Sequence, residues 1–211
     1  MRERVKDTYA TLQVATKEKT TKSGSGYMQM TLAVTKTSQR TSSNLPIYSV
    51  SCIAKWLITP ENRKTDILFV NFNNANLVNN SYSAEYYCSG KNYYNQTSFY
   101  SKQYTEGNGL MTAGGGILLK FDLKNDSSSA TVAYPNRWFY SGHTAYISFK
   151  LGINSKSATS FGLDGVYIHQ KSTVSIAPSI SYDGSAVSGS FSVELDNHFI
   201  CQLSNHLTID I

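Results

Sequence analysis

Apolar and polar residues alternate along most of this chain with a period of two. The run at 27–35 shows the pattern most clearly, because its apolar members would share one face of a strand: Met28, Met30, Leu32 and Val34. Such alternation is typical of antiparallel strands with one buried face. Further strands are predicted at 10–14, 48–58, 117–123, 147–153, 187–195 and 207–211. The continuously apolar run at 67–72 predicts a strand that is covered on both faces.

Turn-forming residues separate these runs. They lie at Ser23–Gly26, Lys124–Ser129, Asp164–Gly165 and Asp183–Gly184. Many short strands separated by turns predict an all-β domain spanning 1–211, an antiparallel β-sandwich or a jelly roll. The side chains expected inside are Met30, Leu32, Val50, Trp56, Leu119, Phe149, Phe191 and Val193.

Composition supports an uncharged, β-rich surface. Only 16% of the residues are charged, against the usual quarter, while the chain contains 15 tyrosines. With 40% apolar residues the chain can fill a core, so it is not a disordered protein. No window of about eighteen apolar residues predicts a membrane span, and no signal peptide is expected at the start.

The net charge of +5 belongs to the first forty residues, while the remainder is neutral. Residues 1–26 are therefore interpreted as a basic N-terminal arm with the first strand, although 2–12 also fits one amphipathic helix. The bases could contact a polyanion. We favour the alternative, in which they lie along an exposed edge strand and prevent unwanted pairing.

Motifs for catalysis are missing. The chain has no nucleophile elbow, zinc-protease helix or phosphate loop, and Gly114–Gly116 precedes a strand rather than opening a helix. His198 and Cys201 would point to opposite faces of a strand, and the three cysteines allow at most one disulfide. His143 is interpreted as a loop residue with a structural hydrogen bond. We predict a protein that is not an enzyme and uses no metal or cofactor.

Residues 71–116 are rich in Tyr, Asn and Gly and are predicted to form a long loop insertion. Tyrosine offers a flat ring with a hydroxyl at low entropic cost, and asparagine offers a paired donor and acceptor. Sugars present matching surfaces, an apolar C–H face and hydroxyl groups. The predicted ligand-binding residues are Tyr86, Tyr87, Tyr93, Tyr94, Asn95, Phe99, Tyr100 and Tyr104. The alternative is that these rings pack the loops or a neighbouring subunit.

Nucleic acid is a poor candidate ligand, because the charged residues of this segment balance and phosphate contacts need an electropositive groove. In composition, rather than in any motif, the chain resembles the heads of viral or phage fibres and fimbrial adhesins. That resemblance implies a virion or cell-surface location and a host glycan or protein receptor as partner. A structural virion or appendage subunit is the alternative. Few charges and many aromatics also predict a homo-oligomer, a trimer before a dimer.

Overall fold

A computed structural model describes residues 13–23, 26–60, 63–113, 115–127, 137–170, 198–202 and 207–211. Within these ranges the chain is all-β and contains no helix, which confirms the fold class expected from the sequence. The strands are β1 (Gln13–Ser23), β2 (Gly26–Arg40), β3 (Pro46–Ile58), β4 (Thr65–Asn73), β5 (Ala75–Leu77), β6 (Ser83–Lys91), β7 (Thr97–Glu106), β8 (Gly109–Ala113), β9 (Gly116–Asp122), β10 (Phe139–Ile153), β11 (Ser160–Gln170), β12 (His198–Gln202) and β13 (Leu207–Asp210).

The strands form one curled open sheet in the order β1-β2-β3-β10-β6-β7-β8-β9-β4-β11-β12. In addition, β13 pairs with β11 and β5 pairs with β10. All pairs are antiparallel except β7 with β8, where two residue pairs run parallel. The sandwich or jelly roll is not confirmed, because the pairing of β7 with β8 joins two halves of one sheet. One half is β1-β2-β3-β10-β6-β7 and the other is β8-β9-β4-β11-β12.

The core fills the inside of this curl. The tilted ring pair Tyr48 and Phe161 brings β3 against β11, and the pair Phe72 and Phe149 brings β4 against β10. Alternation places the inner face of β2 and β3 in this core. The expected core residues that the structure describes are all buried, namely Met30, Leu32, Val50, Trp56, Leu119 and Phe149. Phe191 and Val193 lie outside the described residues.

The structure corrects the predicted loop insertion. Residues 71–116 are mostly strand, since they contain the end of β4, the whole of β5 to β8 and the start of β9. The alternation of Ala84, Tyr86 and Cys88, all buried, makes β6 an ordinary half-buried strand. The Asp164–Gly165 turn is also wrong, because both residues lie inside β11, where they pair with Asn71 and Val70 of β4.

Some of the remaining predictions concern described residues, and others lie outside the described ranges. Ser23 pairs with Gly26, which confirms the turn between β1 and β2, and β1 lies at the edge of the sheet. The Asp183–Gly184 turn, the strand at 187–195 and residues 1–12 lie outside the described ranges. Cys52 and Cys88 are reduced thiols buried in the core, while the side chain of Cys201 is not described.

A tight turn takes the chain from β7 into β8. Gly107 and Gly109 adopt φ values of 79° and 84°, which only glycine adopts without strain. Glu106 lies at the turn and accepts hydrogen bonds from the hydroxyls of Tyr82 (2.5 Å) and Thr112 (2.7 Å). These bonds lower the pKa of the Glu106 carboxyl. The carboxylate thus links the turn to the segment before β6 and to β8.

Four polar side chains form a network inside the core. Asp66 of β4 and His169 of β11 are fully buried, and the Nδ1–H of His169 donates to Asp66 Oδ1 at 2.8 Å. The Tyr167 hydroxyl donates to Asp66 Oδ2 and accepts from Trp56 Nε1 at 2.9 Å. Burial and the Asp66 carboxylate raise the pKa of Tyr167 well above its usual value. The network joins β3, β4 and β11, so it fixes how the two halves of the sheet face each other.

Candidate functional site

The turn between β6 and β7 is held in shape by Asn92. Its Oδ1 accepts from the backbone N–H groups of Tyr94 (3.0 Å) and Gln96 (2.9 Å), and its Nδ2 donates to Gln96 Oε1 (2.7 Å). Such side-chain mimicry of a backbone turn is the ordinary use of asparagine. Asn95 adopts a φ of 58°, a left-handed conformation that asparagine tolerates. The turn therefore presents Tyr93 and Tyr94 on a fixed backbone.

Five exposed aromatic side chains cluster around this hairpin. Phe99 is 83% exposed and Tyr94 is 62% exposed. β10, β6 and β7 are neighbours, with Phe139 opposite Lys91 and Phe99 opposite Ser89, so the strand residues share the outer face. We call this group the aromatic corner, and it consists of Tyr87, Tyr93, Tyr94, Phe99 and Phe139. The other exposed large apolar side chains of the described chain are aliphatic, namely Leu57, Ile58, Met111 and Ile211, so the exposed aromatic rings are confined to the corner.

The structure divides the eight predicted ligand-binding residues into two faces. Tyr87, Tyr93, Tyr94, Asn95 and Phe99 are exposed on the outer face or at the turn. The remaining three belong to the inner face: Tyr86, Tyr100 and Tyr104. Sequence reasoning missed Phe139. The neighbouring Trp138 and Tyr140 are also aromatic, so no period-two alternation marks this residue in the sequence.

Tyr86 is a core residue and has no surface to offer a ligand. It is 1% exposed, stacks on Phe121 and lies parallel to the His143 ring. Its hydroxyl accepts from the Lys124 backbone N–H at 2.8 Å, so it donates to His143 Nδ1 at 2.6 Å. His143 Nε2 is then the protonated nitrogen, and it points its hydrogen toward the Tyr140 carbonyl oxygen at 3.3 Å.

This arrangement corrects the interpretation of His143 as a loop residue, because His143 lies within β10 and is buried. It also holds His143 neutral. Burial, aided by the positive charge of Arg63, lowers the pKa of His143 to about 4, although the Tyr140 carbonyl and Asp126 oppose the shift. Protonation at Nδ1 would break the bond that the Tyr86 hydroxyl donates to this nitrogen.

We expect stability to fall as the pH drops from 6.5 toward 4. In this window the unfolded chain binds a proton at His143 that the folded protein does not, so the difference in proton uptake favours unfolding, by roughly 3 kcal/mol at the lower end. Urea unfolding of the parent and of His143→Gln across this range measures the effect. The variant should lose less stability on acidification, and identical pH profiles for the two proteins would contradict the assignment.

A small pocket opens on the inner side of β7, with a volume of about 290 Å³. Tyr100, Lys102 and Tyr104 line it from β7. The opposite wall is the end of β9 and the segment that follows, residues 122–125. Two residues that sequence analysis placed in a ligand site, Tyr100 and Tyr104, therefore lie here and not at the aromatic corner.

Each lysine of the pocket lies over a tyrosine ring. Lys102 Nζ is 4.7 Å from the centroid of Tyr104, and Lys124 Nζ is 4.6 Å from the centroid of Tyr100 and 5.7 Å from that of Tyr140. Within the described chain neither lysine forms an ion pair with a carboxylate. The rings hold the ammonium groups at the pocket without neutralising them.

The segment after β9 is anchored from behind. Arg63 Nη1 contacts Asp126 Oδ1 at 2.5 Å and donates to the Lys124 carbonyl oxygen at 3.1 Å. Asp126 Oδ1 also accepts from the Tyr140 N–H at 2.6 Å, and the Lys124 N–H donates to Tyr86. The backbone that carries Lys124 is therefore fixed before any ligand arrives.

A metal centre would need a cluster of His, Cys, Asp or Glu side chains. Among the residues described, no three His, Cys, Asp or Glu side chains lie close enough together to hold a metal ion. The side chains of His198, Cys201 and His206 are outside that description. The described part of the chain also has no helix with the length and apolar character needed to cross a membrane.

The fold and its surface define an all-β protein with an exposed aromatic corner and a separate basic pocket. No protein-family model and no curated protein matches the chain. Among solved structures it is similar to a "Pore forming protein", with 10% identity, a TM-score of 0.34 and coverage of 73% of this chain and 78% of that one. It is also similar to a collagen-binding domain from a Staphylococcus aureus adhesin, with 12% identity, a TM-score of 0.31 and coverage of 88% and 100%. These overlaps are too low to carry an argument about function.

Proposed function

We propose that this protein is a non-enzymatic recognition module, and that its aromatic corner binds a glycan, or a protein, on a host surface. Of the two ligands we place the glycan first. The single observation that carries the proposal is the exposure of five aromatic rings, four on the β6–β7 hairpin and Phe139 on the neighbouring strand β10. The resemblance in composition to viral and phage fibre heads leads us to propose a virion or a cell-surface appendage as its location.

Exposed rings suit carbohydrate because of their geometry. Water solvates an aromatic face poorly, and the C–H face of a sugar covers such a ring while its hydroxyls bond to amides and hydroxyls nearby. The corner supplies these groups at its edge, since Asn95, Ser89 and Ser101 lie on the same hairpin. A turn fixed by Asn92 loses little conformational entropy on binding, which favours affinity.

Charge argues against nucleic acid at this corner. Lys91 of β6 is paired with Phe139. Its positive charge is accompanied by the negative charge of Glu85 on the same outer face of β6. A surface of this kind has no row of bases to neutralise successive phosphates, and phosphate neutralisation supplies most of the affinity of a single-strand binder.

Substituting Phe99 or Tyr94 with alanine should weaken glycan binding about threefold to tenfold for each ring, because each removes one stacking surface. A glycan array selects the ligand, and titration calorimetry then compares parent and variants. Leu57→Ala is the matched control, since Leu57 is an exposed apolar residue on β3, away from the corner. Equal affinity of parent, Phe99→Ala and Tyr94→Ala would refute a binding role for the corner.

The second candidate function is a structural subunit of a virion or appendage, with the aromatic corner buried between copies. The 83% exposure of Phe99 favours it, because a ring so uncovered is costly in an isolated protein and is often covered by a subunit. Sedimentation of the same variants separates the two functions. A trimer that dissociates to a 23.4 kDa species on Phe99→Ala, with no glycan bound by the parent, would favour the subunit.

A further inference from the structure

We propose that the pocket between β7 and the end of β9 is a second binding site, which takes one acidic sugar unit through its carboxylate or sulfate group. The pocket is separate from the aromatic corner, since Tyr100 and Lys102 lie on the inner face of β7 whereas Phe99 lies on the outer face. The inference therefore does not depend on the function proposed for the corner.

The first argument is the position of the two ammonium groups. Lys102 and Lys124 belong to segments about twenty residues apart, yet both side chains line one pocket and each lies over a tyrosine ring. A ring shields one side of the ammonium group and restricts the flexible lysine stem, so less entropy is lost when an oxyanion binds. The remaining N–H donors make charge-assisted hydrogen bonds, which are about twice as strong as neutral ones.

The phenols add further donors. Tyr104 lines the pocket, and its burial, together with the nearby Tyr100 and Asp122, raises its pKa to about 12. Its hydroxyl therefore stays protonated at neutral pH and is able to donate to an oxyanion. A pocket with two ammonium groups and the Tyr104 hydroxyl is rich in donors, which suits an acceptor group with several oxygens.

Asp122 favours an acidic sugar over inorganic phosphate or another multiply charged anion. Asp122 is one of the residues that line the pocket, and its Oδ1 accepts from the Thr65 hydroxyl at 2.6 Å. A carboxylate repels a phosphate of charge near −2, but it accepts hydrogen bonds from the hydroxyls of a sugar. The amide of Asn125 lies in the same wall and both donates and accepts. One singly charged group surrounded by hydroxyls matches this lining.

Size limits the ligand to a single unit. The volume of about 290 Å³ is at the lower end of the range for small-molecule sites. One sugar ring with its charged group fits such a volume, whereas the rest of an oligosaccharide would lie outside the pocket. The site is therefore suited to the end of a chain or to a side branch.

Titration calorimetry at low salt tests the proposal with four probes: the methyl glycoside of N-acetylneuraminic acid, galactose 6-sulfate, unmodified galactose and inorganic phosphate. We expect one or both acidic sugars to bind, and which one does so identifies the charged group. We expect Lys124→Gln and Lys102→Gln each to weaken that binding about tenfold to a hundredfold, since each removes a charge-assisted hydrogen bond. Lys55→Gln on β3 is the matched control, because it removes the same charge from an exposed site away from the pocket.

Three results would overturn the proposal: no binding of either acidic sugar, binding of galactose or phosphate as tight as theirs, or equal affinity in the parent and both lysine variants. Lys102 is exposed, so Lys102→Gln should remain folded even where Lys124→Gln does not, and thermal unfolding checks both. Loss of acidic-sugar binding in the lysine variants, with unchanged binding in Lys55→Gln, assigns the site to the pocket.

Discussion

Replacing Asp66 with asparagine should lower the free energy of unfolding by about 3 kcal/mol, although the two side chains have the same shape. The carboxylate accepts from His169 at one oxygen and from Tyr167 at the other, and it lies fully inside the core. An asparagine has only one acceptor oxygen. Its NH₂ group must therefore face either the His169 N–H or the Tyr167 hydroxyl, where no solvent can compensate for the lost bond.

Two further variants define the cause of this loss. Asp210→Asn makes the same chemical change at an exposed position on β13 and should alter stability by less than about 0.5 kcal/mol. Tyr167→Phe keeps the ring but removes both the donor to Asp66 and the acceptor for Trp56, and it should cost about 1–3 kcal/mol. Urea unfolding measures all three proteins. An Asp66→Asn protein as stable as the parent would mean that the network does not hold the two halves of the sheet together.

The second large effect is expected at Gly109, where alanine should cost about 2–4 kcal/mol. A Cβ at this position would lie 2.6 Å from both the Lys120 carbonyl oxygen and Cδ1 of Tyr104. The backbone also has a φ of 84°, which is strained for any residue with a side chain. Relief requires that β8 move away from β9, and the only parallel pairing of the described sheet lies beside it.

Gly107 provides a close control in the same turn. Its φ of 79° is nearly that of Gly109, but a Cβ there would meet nothing within 4 Å. Gly107→Ala should therefore cost only the conformational part, about 1 kcal/mol. Thermal unfolding of both variants separates backbone strain from the close approach of β9. Equal losses for the two variants would show that the contact with Lys120 and Tyr104 has no energetic weight.

A continuous apolar run located β4, which is covered on both faces. Period-two alternation located β2, β3, β9, β10 and β13, because each of these strands buries an apolar face. It was overlooked in β6, where Tyr86 and Tyr87 are adjacent and identical, although one is buried and the other exposed. Composition cannot distinguish them, whereas the sequence Ala84, Tyr86, Cys88 does. Gly165 misled the turn prediction because it is a buried glycine paired with Val70 inside β11.

The candidate site was only half predictable. The aromatic residues were recognisable as a group because they lie in one segment, but their division between outer face and pocket depends on strand register. In the sequence, Lys102 is only one of the charged residues of a segment whose charges balance. Its proximity to Lys124 arises because β7 and the end of β9 meet across the pocket, a relation that no local pattern in the sequence encodes.

The strand order also determines when the protein can fold during synthesis. The hydrogen bond between His169 and Asp66 spans 103 residues, and β10 pairs with both β3 and β6. The part of the sheet that contains β3 and β6 is incomplete until β10 has left the ribosome, and the part that contains β4 is incomplete until β11 has done so. Contacts this distant in sequence slow folding, because loop entropy is lost before the contacts form. The β1–β2–β3 meander and then the β6–β7 hairpin, whose pairings are local, therefore form before β10 joins them, and their inner faces are uncovered until then. Nascent chains are prone to associate at that stage.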